Sequence, residues 1–174
     1  MKSIIEFFKK LFAPKPQPEL VPPQAPKVQP VVDPIPWFTL LETYLGTKEV
    51  LPDGSVNPII TYFFTFTSYR TKLNKAWCAA TQCCMLRKTG YKDPNSAAAM
   101  GFIKYGTPCE YKKGALIVME HPDGGHHVTQ FSHWIDEKKK LAMCLGGNQS
   151  NMVKFSQYNF NVEKVLRVCW PEKA

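Results

Sequence analysis

The chain has 174 residues, a mass of 19.8 kDa, a formal net charge of +8 and a pI near 9.2. Nine of its fifteen prolines fall between Pro14 and Pro36, a density that sustains neither helix nor central strand. The 138 residues beyond them suffice for one globular core, which excludes a disulfide-stapled miniprotein, and no run approaches the ~20 apolar residues of a membrane span.

The first 36 residues hold five Lys against three acids, so the body carries +6 of the charge. A basic body suits polyanionic partners: nucleic acid, anionic lipid headgroups or acidic cell-wall polymers. Arginine is confined to Arg70, Arg87 and Arg167, and no aromatic-basic ribonucleoprotein motif appears, so no nucleic-acid partner is expected. The six cysteines, at 78, 83, 84, 109, 144 and 169, contain no C-x-x-C pair. That pattern speaks against a zinc ribbon or a thioredoxin-like site and fits a chain that folds in a reducing compartment.

In chain order, residues 1–13 predict an amphipathic helix, with Ile4, Phe7, Phe8, Leu11 and Phe12 on one face and Lys2, Glu6, Lys9 and Lys10 on the other. Glu6 and the Lys9-Lys10 pair interrupt the apolar stretch that a secretory signal needs. The expectation is synthesis in the host cytoplasm without a signal peptide. The helix either contacts a membrane surface peripherally or folds back on its own domain. Residues 14–36 read as a Pro-rich linker able to reach ~70 Å when extended.

The body is expected over 37–174. Helices are predicted over 37–45, from the Asn57-Pro58 cap to about Phe66, over 77–88, and from Asn95 or Ser96 to near Tyr105. Strands are predicted over 115–120, 127–134, 141–145 and 165–170. Helices first and an antiparallel meander after is the α+β pattern.

Cys78 opens the third predicted helix. First-turn N–H groups and the helix dipole favour a thiolate there, so the thiol is expected to titrate low and to alkylate well below pH 8. All four histidines fall within one window, at 121, 126, 127 and 133. The turn at Gly124-Gly125 delivers His127 to a strand end as a general base, with His126 as the alternative. Alternation along a strand keeps both from facing one partner. A zinc site built from His121, one of the central pair and His133 is the rival reading, although it lacks any recognised ligand spacing. In the run L-G-G-N-Q-S at 145–150, the glycines read as a sharp turn and Asn148 as an acceptor for the distal imidazole nitrogen.

W-C-A-A opening a helix at 77–80, Gly125 with His127-Val128 (one His inserted) and L-G-G-N-Q-S at 145–150 occur in this order. The set resembles the NlpC-like and CHAP superfamily of papain-fold cysteine peptidoglycan hydrolases, most closely a small phage and bacterial subfamily. Trp37, Gly46 with Glu49, Asn57-Pro58, Gly90 and Trp170-Pro171 match as well, so the resemblance spans roughly residues 36–171.

The resemblance implies a papain-like fold and a triad of Cys78 as nucleophile, His127 as base and Asn148 as orienting residue. Trp77, Thr129 and Gln149 become candidates for the substrate groove. The oxyanion hole would draw on the Cys78 backbone N–H, with Gln82 one turn on and out of reach. No metal or other cofactor is implied. The implied partner is bacterial peptidoglycan, attacked at an amide bond as by a phage lysin. The alternatives are a non-catalytic wall-binding or virion module of the same fold, and an acyltransferase with the same triad.

Overall fold

The computed structural model describes residues 34–69 and 76–174. The helix expected over 1–13 and the linker up to residue 33 lie outside the described residues.

Proline opens the first two helices, at a position where its missing N–H costs no hydrogen bond. Helix α1 (Pro36–Glu42) turns Trp37, Phe38 and Leu41 inward, and the Trp37 indole N–H donates to the Gly114 carbonyl at 2.8 Å. Helix α2 (Pro58–Phe64) is capped by Asn57, whose side chain accepts from the Ile59 N–H at 3.0 Å. Helix α3 (Cys78–Lys88) is buried from Cys78 through Leu86, so it runs through the interior. Its exposed end carries Arg87 and Lys88, which suit the negative pole of the helix dipole.

The fourth predicted helix does not form. Asn95 takes a positive φ of 52°, the Ser96 hydroxyl accepts from the Ala98 N–H at 3.1 Å, and Ala98 is extended. These local bonds compete with a first helical turn, and only a single 3₁₀ turn remains (Ala99–Phe102).

Strands β1 (Thr107–Pro108), β2 (Leu116–Glu120), β3 (His126–Asp136), β4 (Leu141–Gly146), β5 (Lys154–Asn159) and β6 (Lys164–Trp170) form one sheet in the order β1-β6-β2-β3-β4-β5. Every neighbouring pair is antiparallel. The described residues thus form a mixed α/β fold of three helices and a six-stranded antiparallel sheet. None of those helices is long and apolar enough to cross a membrane. Strand β2 is buried on both faces. Leu116 and Val118 join the helices in the main core, whereas Ile117 and Met119 join Phe131, Ala142 and Cys144 on the opposite face. Cys83 and Cys84 are fully buried in the helical core, where they pack as small apolar residues.

One departure from regular pairing positions the site. Strand β3 pairs with β2 from His126 to Gln130, but its pairing with β4 begins only at Gln130. The first residues of β3 therefore present backbone groups to something other than a β4 strand.

Candidate active site

The N-terminus of α3 meets that opening. Cys78 is the first residue of α3 and is 2% exposed. The backbone N–H groups of Val128, Ala79 and Cys78 act on its thiol in the direction that favours the thiolate. The candidate nucleophile thus lies within the electrostatic reach of the main chain at Val128, the residue that follows His127. Backbone N–H groups favour a thiolate, but removal of the sulfur from water is the larger effect and pushes the thiol above its ordinary range. The expectation of a low-titrating thiol is reversed, because the dipole and donors of a helix start do not offset near-complete burial.

His127 is 5% exposed. Burial, reinforced by the charge of His121, lowers its imidazole from 6.5 to about 4, while the Gln149 side chain pulls the other way. The resting pair is accordingly a neutral thiol and a neutral imidazole. His127 Nε2 makes no closed hydrogen bond, and the polar side chain acting on this ring is Gln149 rather than Asn148. Asn148 instead takes the left-handed conformation of the loop, with φ 59°.

Gln149 is fixed from several directions. Its Oε1 lies 3.0 Å from the Thr129 hydroxyl and accepts from the Tyr158 hydroxyl at 3.1 Å. Its amide nitrogen donates to the carbonyls of Cys144 and Lys154. With both amide hydrogens used on carbonyls, the oxygen faces the hydroxyls and the imidazole. The preceding glycines serve close approach rather than a positive φ. A Cβ on Gly147 would stand 2.2 Å from the Thr81 hydroxyl and 2.6 Å from Trp77 Cζ3, and one on Gly146 would stand 2.7 Å from the Thr129 hydroxyl. The G-G pair lets the loop lie directly on α3 and β3.

All three side chains expected in the groove are buried. Trp77 is 1% exposed and donates its indole N–H to Glu49 at 3.2 Å. Thr129 and Gln149 are equally enclosed and brace each other. The groove at the thiol, about 300 Å³, is lined by Ala76, Cys78, Ala97, Ala98, Ala99, Met100 and His126. The segment expected to be helical thus supplies the groove wall, and His126, the alternative base, lies exposed at its rim. Gln82 is occupied by Gln130, which donates to its Oε1 at 2.7 Å. His133 lies further along β3 beside Ser132, and among the described residues no three His, Cys, Asp or Glu side chains are grouped to hold a metal ion.

One contributor, Tyr158, escapes the sequence reading, and another, His121, enters it only as a candidate zinc ligand. Tyr158 comes from β5, where K-F-S-Q-Y-N is too polar to read as a strand, and its ring lies 5.9 Å from that of His127. His121 stacks on His127 at 5.8 Å between centroids. Aromatic residues within a polar run are the one signal for Tyr158. No family model, curated protein or solved structure matches this chain.

Proposed function

We propose that the chain is a papain-like cysteine hydrolase that cleaves an amide bond in the peptide part of bacterial peptidoglycan. The carrying observation is the placement of Cys78, the first residue of a buried helix, where the Val128 backbone N–H beside His127 acts on its thiol. The imidazole of His127 in turn faces Gln149. On this reading a nucleophile, a base and an orienting amide come from three separated stretches of chain, as nucleophilic catalysis requires. The orienting role passes from Asn148 to its neighbour Gln149.

With both groups neutral at rest, reaction starts by general-base transfer. His127 takes the thiol proton as sulfur attacks the amide carbonyl, and a C–S bond forms while the carbonyl electrons move onto oxygen. The tetrahedral intermediate collapses, the C–N bond breaks, and the imidazolium gives its proton to the departing amine. Water, deprotonated by His127, then attacks the thioester and releases the carboxylate and the thiol. Backbone N–H groups of the first turn of α3 face the reacting centre and are available to the developing oxyanion.

The alanine-walled groove suits a peptide of small side chains, and the net charge of +8 suits adsorption to an anionic wall. Residues 1–13 would add peripheral membrane contact, and a lysin role follows from this reading. The test is digestion of purified sacculi by wild type and Cys78→Ala, with soluble fragments read by mass spectrometry. Fragments from wild type alone support the reading, and their new termini name the bond. Absence of fragments from both folded proteins overturns it and favours a binding module. Products carrying a transferred acyl group indicate an acyltransferase.

A further inference from the structure

The hairpin of β2 and β3 brings a second histidine to the first. In the register, Met119 lies opposite His127 and Glu120 opposite His126. Alternate residues of a strand share a face, so His121, two beyond Met119, shares the face of His127 as its diagonal neighbour. The turn holds that relationship. The His121 N–H donates to the Gly125 carbonyl at 2.7 Å, the Gly124 N–H donates back to His121 at 2.9 Å, and Gly124 takes a φ of 84°. The two rings lie 5.8 Å apart with their planes 29° from parallel.

The other neighbour of β2 supplies a clamp. Glu120 pairs with Lys164 of β6, and one step further Glu163 stands opposite His121. Its Oε2 lies 2.6 Å from His121 Nδ1, with the carboxylate 16% and the imidazole 30% exposed. Contacts this short between an imidazole and a carboxylate are charge-assisted. Tyr158 closes the group, with its ring 6.2 Å from His121 and 5.9 Å from His127 and its hydroxyl on Gln149.

We propose that His121, clamped by Glu163, is a positioning residue for His127, stacking on its imidazole and holding it against Tyr158 and Gln149. The proposal rests on His127 being the base of the hydrolase read above. Glu163 fixes the His121 ring beside His127, and His121 acts electrostatically on His127 in the direction that keeps it neutral. A base so held stays available in mild acid, and once protonated it is a strong acid toward the leaving amine. The titratable groups around it are Cys78 from α3, His121 and Glu163 from the hairpin and the approach to β6, Tyr158 from β5, and adjacent His126.

The test is an NMR titration of the His127 imidazole in the full chain, run beside the pH profile of sacculus hydrolysis. His121→Phe keeps an aromatic ring in the stack and removes the charge. The His127 titration should rise by roughly one pH unit or more, and the acid limb of kcat/KM should move with it while KM holds. His127 titrating as in wild type in folded His121→Phe overturns the proposal. The imidazole titration is read whether or not sacculi are cut. Failure of hydrolysis by wild type therefore refutes the enzyme reading separately, and the titration still decides the role of His121.

Discussion

The Tyr158 hydroxyl donates to Gln149 Oε1 at 3.1 Å, tying the polar edge strand β5 to the loop that follows β4. Because the Gln149 side chain also acts on the His127 imidazole, the orienting role is separable from that of Asn148 by mutation. Gln149→Leu should lower kcat for sacculus hydrolysis by roughly 100-fold, within the range ascribed to general acid–base catalysis. Asn148→Gly keeps the positive φ available and should leave kcat within about threefold of wild type, far less than loss of a general-base function. The reverse ranking would restore Asn148 to the triad.

Gly147 offers a test of the loop's seating on α3. Gly147→Ala should destabilise the fold by about 1–3 kcal/mol, the usual cost of overpacking. Its new Cβ would stand 2.2 Å from the Thr81 hydroxyl. Thr81→Ala combined with Gly147→Ala should recover part of that loss and leave the remainder to Trp77 Cζ3, 2.6 Å away. Urea unfolding of the four proteins gives the coupling. Additive effects of the two substitutions would refute this contact as the cause.

Local signals account for what the sequence makes legible. Asn57-Pro58 predicts α2 because cap and proline act within one turn, and Cys78 opens α3 as expected. Strands β2, β3 and β6 fall where β-branched and aromatic runs lie between turns, and β4 where a short apolar run does. What stays hidden depends on contacts distant in sequence. The alanines at 97–99 have high helix propensity, yet Asn95 and Ser96 divert the chain into a groove wall. The state of Cys78 is set by enclosure, which no local pattern reveals. The motif points to Asn148, and only the folded loop shows that Gln149 is the amide turned inward.

The buried His127 makes stability depend on pH in a fixed direction. Its imidazole titrates near 6.5 when unfolded and at about 4 when folded. Between those values the unfolded chain binds the extra proton, so stability rises with pH across that window. The contribution is complete above 6.5 and is lost as pH falls toward 4, amounting to about 3 kcal/mol. Urea midpoints measured from pH 7 to 4 should fall more steeply for wild type than for His127→Gln. Parallel slopes would place the imidazole in water instead.

Cys78 and His127 are both neutral at rest, which separates this site from one with a preformed thiolate–imidazolium pair. Burial holds the thiol above its ordinary range, and the imidazole has the lower affinity for the proton. The ultraviolet absorbance of thiolate should therefore be the same in wild type and Cys78→Ala between pH 6 and 8. Iodoacetamide should modify Cys78 more slowly than a free thiol in that range. Sacculus hydrolysis should nevertheless persist into mild acid, since the base loses its function only near the His127 value of about 4. A thiolate band that disappears with Cys78→Ala would show that the pair is charged, and the acid limb would then report loss of the thiolate rather than protonation of a neutral base.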